Sequence, residues 1–239
     1  MKSGNMTPRN GLPAREVLRA ALDHSGYAVI PSLLDEQACA ALASMYDGAA
    51  DRFRSTVTMA RHGFGSGEYK YLARPLPDLV QNLRELLYGP LSGVANDWAE
   101  RLRSVRRWPD DHAAFVAVCA AAGQRRPTPL LLRYGPGDYN RLHQDLYGEV
   151  YFPFQVIILL DAPQRDFEGG ELILVESRPR MQSRPVVIPL GQGDAAIIPV
   201  RERPIRSSRG WSKAGVRHGV AEIRRGARRT LGVIFHDAL

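Results

Sequence analysis

From Pro129 to its end the chain is a succession of short apolar runs, at residues 130–132, 152–160, 172–175, 186–188, 195–200 and 231–235. Each is bounded by Gly, Pro, Asp or Asn. Runs of that length with β-branched residues and turn punctuation read as strands. Several strands in succession, with no helix between them, imply an antiparallel sandwich or barrel, and a jelly roll is the common way of closing one.

The preceding half has a different texture. Residues 1–13 hold Gly, Asn and Pro without periodicity and read as a frayed tail. Val17, Leu18, Ala21 and Leu22 fall at helical spacing and predict a helix over 14–24. Residues 27–30 read as a strand closed by Pro31, and Asp35 as the N-cap of a helix over 36–45. The Gly-punctuated, Tyr-rich stretch 62–71 is strand or loop. Helices are expected at 78–88, 91–103 and 111–122. Without an internal repeat or low-complexity linker, the 239 residues read as a single α+β domain. Residues 1–128 would be mainly helical support and 129–239 a jelly-roll core.

Composition narrows the class. With 44% hydrophobic and 24% charged residues the chain is neither disordered nor fibrous. Its longest apolar run, residues 113–122, is too short to span a bilayer. The first residues lack the apolar stretch of a secretory signal. Two distant cysteines, Cys39 and Cys119, argue against a disulfide scaffold or thiolate cluster. A cytoplasmic protein without membrane association is expected. The net charge of +7 is local: residues 178–229 carry twelve Arg and one Lys against Asp194, Glu202 and Glu222, a net +10. That segment reads either as a surface for an anionic partner or as solvated strands in an arginine-rich chain.

His143-Gln144-Asp145 carries the first hint of chemistry. On a strand, residues i and i+2 share a face, so the imidazole and the carboxylate could converge. Alone, the triplet is weak. His218 lies 75 residues later, next to a strand candidate. Two His and one carboxylate on one barrel face form the facial triad of non-haem Fe(II) sites, which leaves three octahedral positions open. A bidentate 2-oxo acid would fill two and O2 the third. Such an acid needs a cation at its far carboxylate, and Arg228 supplies a two-pronged donor. The alternative for Arg228 is a surface strand charge.

Several ordered elements together resemble the Fe(II)- and 2-oxoglutarate-dependent dioxygenases. Residues 133–138 (Arg-Tyr-Gly-Pro-Gly-Asp) lead into the His-Gln-Asp triplet, and Glu168-Gly169-Gly170-Glu171-Leu172 is similar to an element of prolyl-hydroxylase-like members. Gly193-Asp194 precedes a strand, and His218-Gly219-Val220 followed by Gly226-Ala227-Arg228 has the family's second-histidine and arginine spacing. The resemblance implies that His143, Asp145 and His218 are the catalytic iron ligands and that Arg228 pairs with the C5 carboxylate of the cosubstrate 2-oxoglutarate. Tyr134 matches a tyrosine that helps hold the cosubstrate in demethylases of the AlkB kind, or is a half-buried strand aromatic. Arg229 is the fallback for Arg228, since only one of two strand neighbours can enter the barrel.

The chain also departs from these patterns. Where prolyl-hydroxylase-like enzymes often have a tyrosine, residues 155–160 are aliphatic, and Gln155 either replaces the missing hydroxyl or is a strand-end residue. Ile234 and Phe235 stand where the AlkB kind has a second arginine. His236-Asp237 is the competing metal pair. His24, His62 and His112 read as ordinary helix or loop residues.

The implied reaction is hydroxylation of a C–H bond with release of succinate and CO2. The whole chain resembles a bacterial oxygenase family proposed to demethylate damaged nucleic acid oxidatively. In that reading Arg201, Arg203, Arg206, Arg209, Arg217, Arg224 and Arg225 would contact phosphates and Trp211 would stack on a base. The bland reading is a solvated edge with one anchoring Trp. The alternatives are a prolyl-type peptide hydroxylase, a small-molecule hydroxylase, and a non-catalytic barrel sensing metal or 2-oxo acids.

Overall fold

The computed structural model describes residues 11–48, 50–146, 148–208 and 210–239. Its N-terminal part runs α1 (Arg15–Ser25), β1 (Ala28–Ile30), α2 (Glu36–Gly48), β2 (Phe53–Thr58), β3 (Gly65–Ser66), β4 (Glu68–Leu72), α3 (Asp78–Arg101) and α4 (His112–Ala121). Then come β5 (Leu130–Tyr134), β6 (Tyr139–His143), β7 (Phe154–Leu159), β8 (Phe167–Gly169), β9 (Leu172–Ser177) and β10 (Arg184–Ile188). The chain finishes with β11 (Ala195–Pro199), β12 (Glu202–Ser207), β13 (Gly210–Val220), β14 (Ile223–Gly226) and β15 (Arg228–Ile234).

The larger sheet has the order β1-β11-β7-β15-β5-β4-β2, and the smaller the order β10-β9-β13-β6-β3 with β12 paired to β13. All these pairings are antiparallel. The mixture of helices and antiparallel sheets is consistent with a jelly roll.

Period-2 alternation sorts the larger sheet's side chains into two sets. Leu131, Phe154, Val156, Ile158, Leu231 and Val233 join α1, α2, α3 and α4 residues in the main apolar core. The intervening positions, among them Leu132, Tyr134, Gln155, Ile157, Arg228, Thr230 and Gly232, line a cavity instead. His143 and His218 of the smaller sheet line it as well. The active face is thus the side of the larger sheet turned away from the helices.

The first 128 residues are not helical alone. They supply β1, β2 and β4 to the larger sheet and β3 to the smaller. β1 and β4 fall in stretches read as strand and as strand or loop, whereas the mixed polar texture of Phe53–Thr58, only partly buried, hid β2. Two expected helices, 78–88 and 91–103, are one continuous α3 that runs through Pro90. Proline removes the N–H that would bond residue 86, and Leu86 is on the exposed side, where water can take its carbonyl. Leu83, Leu87, Leu91, Val94 and Trp98 form an unbroken buried stripe across the proline.

Asp35 caps α2 as expected, and Asp111, expected inside its helix, is instead the N-cap of α4. Asp35 Oδ1 accepts from the Ala38 N–H at 2.8 Å, and Asp111 caps α4 through Ala114 at 2.8 Å. Cys39 and Cys119 are free and buried. Among the described residues, no helix is long and apolar enough to cross a membrane. Residues 1–10 of the expected tail lie outside the described residues.

Candidate metal centre and active site

β6 and β13 pair so that His143 and His218 sit directly opposite one another. Their rings lie 4.2 Å apart, centroid to centroid. The ladder shifts register between His218 and Val220. Gly219 permits that, since a Cβ there would lie 2.7 Å from the Asn140 carbonyl oxygen.

Asp145 arrives by a different route from the one expected. His143 is the last residue of β6, so Asp145 lies beyond the strand and does not share its face by alternation. Gln144 pins the departing chain: its amide donates to the carbonyls of Arg201 and Val216, each at 2.8 Å. The chain then turns Asp145 inward. Its Oδ1 is 3.5 Å from His143 Nε2 and its Oδ2 is 3.3 Å from His218 Nε2.

One donor atom from each of His143, Asp145 and His218 lies within 4.8 Å of the others. Metal–ligand bonds of about 2 Å place neighbouring ligand atoms about 3 Å apart on an octahedron, so these separations suit one divalent ion. Protonation agrees. Burial and the neighbouring His218 lower the pKa of His143, and its Nδ1 donates to the Arg141 carbonyl at 2.7 Å, which leaves the Nε2 lone pair facing the centre. Burial alone would raise the pKa of Asp145, but the hydrogen bond and charge of His218, with His143 and Gln155, hold it well below the usual carboxylate range. A His143 pushed toward its neutral form beside an ionised carboxylate suits metal binding, which needs deprotonated ligands.

Gln155 is neither a strand-end residue nor a bystander. It is 3% exposed in the middle of the larger sheet, and its Nε2 donates to Asp145 Oδ2 at 2.8 Å. The same nitrogen is 3.2 Å from His218 Nε2. An ionised carboxylate takes only donors, which fixes the amide with its nitrogen toward Asp145.

The three ligands open into a cavity of about 480 Å³, the size of a small-molecule site. At its wall Arg228 is 2% exposed. Burial lowers its pKa, and among the described residues no carboxylate comes within ion-pair distance. A buried cation without a counter-charge is a strong demand for an anionic ligand. Tyr134 is fully buried beside it, with the guanidinium carbon 5.9 Å from its ring centroid, and its hydroxyl accepts from Asn140 Nδ2 at 3.2 Å. Arg229 faces the other way and is clasped by Asp161 at 2.6 and 3.1 Å, so the fallback is set aside.

The Glu-Gly-Gly-Glu-Leu element contributes through shape. Gly170 has φ +64°, and a Cβ there would lie 2.7 Å from Arg228 Cδ. Only glycine lets the turn between β8 and β9 press against the arginine stem.

The other candidates disperse. Asp237 is buried in ion pairs with Arg84 at 2.9 Å and Arg74 at 2.5 Å, and His236 accepts from the Phe152 N–H through Nδ1, so this pair anchors the C-terminus. His112 is buried against the Phe235 carbonyl, unlike the ordinary residue expected, and His62 stacks on Phe64. In the basic segment Arg203 is buried on Glu176, while Arg224 and Arg225 pair with Glu171 and Glu168. Trp211 is sandwiched between Arg101 and Arg206, at 4.7 and 4.1 Å, and does not line the cavity. Arg201 and Arg217 remain exposed; Arg209 lies outside the described residues.

Comparison with known proteins agrees with this geometry. Residues 67–238 match the family Oxygenase-NA, described as "Oxygenase, catalysing oxidative methylation of damaged DNA". An uncharacterized protein found in two strains of Mycobacterium tuberculosis is 49% identical over 164 residues, 69% of this chain and 70% of that protein. Among solved structures, a Pseudomonas putida prolyl-4-hydroxylase superposes with a TM-score of 0.53 at 13% identity, covering 94% of this chain and 100% of that one. An oxidoreductase of the 2OG-Fe(II) oxygenase family from Burkholderia pseudomallei gives 0.53 at 17% identity, covering 99% and 98%. The chain therefore belongs to the Oxygenase-NA family: it is an oxygenase, built on the fold of the 2-oxoglutarate and Fe(II) enzymes.

Proposed function

We propose that this oxygenase is an Fe(II)- and 2-oxoglutarate-dependent dioxygenase that oxidatively demethylates alkylated nucleic-acid bases. The observation that carries the reading is the pairing of a three-ligand centre with one unpaired, buried arginine in the same cavity. His143, Asp145 and His218 would hold Fe(II), and Arg228 with Tyr134 would hold the distal carboxylate of 2-oxoglutarate. The bound metal and cosubstrate supply an oxidant made from O2, with succinate and CO2 as coproducts.

The protein's share is positional. His143, its tautomer set by the Arg141 carbonyl, presents Nε2 to the centre. Gln155 ties up one oxygen of Asp145 and leaves the other to bind. The apolar walls, Leu132, Ile157, Leu172 and Val220, exclude water. Hydroxylating a methyl carbon bound to nitrogen gives a hemiaminal, which collapses to the N–H base and formaldehyde. The family description speaks of methylation; a two-electron oxidation at carbon detaches a methyl group from nitrogen and attaches none, so removal is the direction adopted here.

In this reading the chain is one domain, with a double-stranded β-helix core over 129–239 and the first 128 residues as support. Two buried free cysteines suit a reducing compartment such as the cytoplasm. The test is incubation with Fe(II), 2-oxoglutarate, O2 and an N-methylated oligonucleotide. Succinate and formaldehyde should appear in equal amounts and only together with the methylated strand. Turnover driven instead by a proline peptide, or by no nucleic acid, would contradict it.

A further inference from the structure

Ten large hydrophobic side chains are exposed among the described residues, and three of them ring one cavity mouth. Phe64 is 47% exposed, Leu142 42% and Leu146 40%, and all three line the cavity that contains the His-Asp-His set. Phe64 is the sole exposed member of the described Phe, Tyr and Trp residues. Apolar surface gathered at one opening marks a contact site.

The aromatic is held, not loose. The Phe64 N–H donates to the Met59 carbonyl at 3.2 Å, and its own carbonyl accepts from the Arg141 N–H at 2.9 Å. Met59, fully buried against Tyr134 and Val220, anchors the turn from below. One side of the Phe64 ring is covered by His62, stacked at 5.3 Å with 23° between planes. Arg61 precedes Phe64 by three residues and Arg141 is bonded to it through the backbone; both are exposed, and no carboxylate among the described residues forms an ion pair with either. Arg141 also lines the cavity.

We infer that this rim is the docking surface for a single-stranded nucleic acid, with Phe64 as the platform on which the base entering the cavity stacks. The inference rests on the demethylase reading and narrows it to unpaired strands. Two of the three ligand side chains sit deep, Asp145 13% and His218 6% exposed against 33% for His143, so a target base must leave its own stack to reach the centre. A flat aromatic at the entrance replaces the stacking so lost, and is tolerant of sequence. The exposed guanidinium of Arg141 at the cavity, with exposed Arg61 in the same turn as Phe64, suits the phosphates that neighbour that base. Phe64, Arg61, Arg141, Leu142 and Leu146 all come from outside the basic 178–229 segment, whose Trp211 packs against Arg101 and Arg206.

The test is anisotropy of a fluorescent single-stranded oligonucleotide carrying one N-methylated base, titrated with wild-type and variant protein under anaerobic Fe(II) and 2-oxoglutarate, and repeated with the same strand in a duplex. Phe64→Ala should weaken single-strand binding on the order of tenfold, and Phe64→Trp should retain it. Arg61→Ala and Arg141→Ala should each lower the salt slope by about one. The duplex should bind more weakly than the single strand. Unchanged affinity in Phe64→Ala, with wild-type binding intact, overturns the platform and leaves the demethylase reading standing. A duplex bound as tightly as the single strand overturns it too. If the wild-type protein binds no oligonucleotide, or binds an acidic peptide instead, the nucleic-acid reading itself falls.

Discussion

Arg228 and Arg229 are neighbours on one strand and lie in opposite electrostatic worlds. Arg229 is clasped by Asp161 at 2.6 Å on one face of the larger sheet, whereas Arg228 projects from the other face into the cavity, with no carboxylate among the described residues at ion-pair distance. Alternation along β15 separates an ion-paired guanidinium from one that faces the cavity.

That separation predicts unlike phenotypes. Arg228→Gln should weaken 2-oxoglutarate binding by two to three orders of magnitude, because it removes a buried charge partner worth about 2–5 kcal/mol. Without cosubstrate, Arg228→Met should melt no lower than wild type, since an uncompensated buried cation destabilises the empty protein. Arg229→Gln should instead cost about 1–3 kcal/mol of stability while 2-oxoglutarate affinity stays near normal. Calorimetric titration and thermal melting of the three variants check this.

Gln155 should act through Asp145. Replacing it with the near-isosteric Met removes the N–H that ties Asp145 Oδ2. Metal affinity, measured with Co(II) by its visible absorption, should fall about 10- to 100-fold with the fold intact. Unaltered Co(II) affinity and spectrum would make Gln155 a packing residue only.

Gly170→Ala tests the shape of the arginine pocket. The methyl would meet Ile223 Cδ1 at 2.2 Å and Arg228 Cδ at 2.7 Å, from a backbone at φ +64°. A loss of about 1–3 kcal/mol in stability is expected. Affinity for 2-oxoglutarate should drop with it, because the guanidinium must shift. A variant that melts and binds like wild type would show that the turn moves freely.

His112 should make stability pH-dependent. Burial, with Arg84 nearby, lowers its pKa to about 4 from the ordinary 6.5. The unfolded chain therefore takes up a proton as pH falls below about 6.5 while the folded chain resists until about 4. Stability is full above the upper value and declines through this window, by up to about 3 kcal/mol. His112→Gln, which keeps a donor for the Phe235 carbonyl, should flatten the melting-temperature profile there. A profile as steep as that of wild type would count against this assignment.

The sequence revealed the chemistry better than the architecture around it. His143, Asp145, His218 and Arg228 were legible because few residue types perform their roles and their order is fixed by the strands. Tyr134 and Arg228 were singled out by the resemblance of their spacing to known enzymes, and alternation said only that one of Arg228 and Arg229 could face inward. The route of Asp145 was not legible, since the turn after β6 depends on Gln144 reaching Arg201 and Val216, far away in sequence. β12 and β13 hid behind their arginines: Arg203 and Arg206 advertise charge, and nothing local says that Glu176 neutralises the first and Trp211 covers the second. Trp211 itself misled because nearness to basic residues in sequence does not give nearness to the cavity. Phe64 carried no motif; only its place at the mouth gives it meaning.

We propose that His143, Asp145 and His218 form one metal centre that, with Arg228, creates a site for a 2-oxo diacid. Anaerobic calorimetry, adding Fe(II) and then 2-oxoglutarate to wild-type, His143→Ala and Arg228→Gln proteins, tests it most directly. One Fe(II) per chain should bind to wild type and to Arg228→Gln but not to His143→Ala, and 2-oxoglutarate should bind tightly only where both the metal and Arg228 are present. Absence of stoichiometric Fe(II) binding, or 2-oxoglutarate binding that is indifferent to both substitutions, would contradict it.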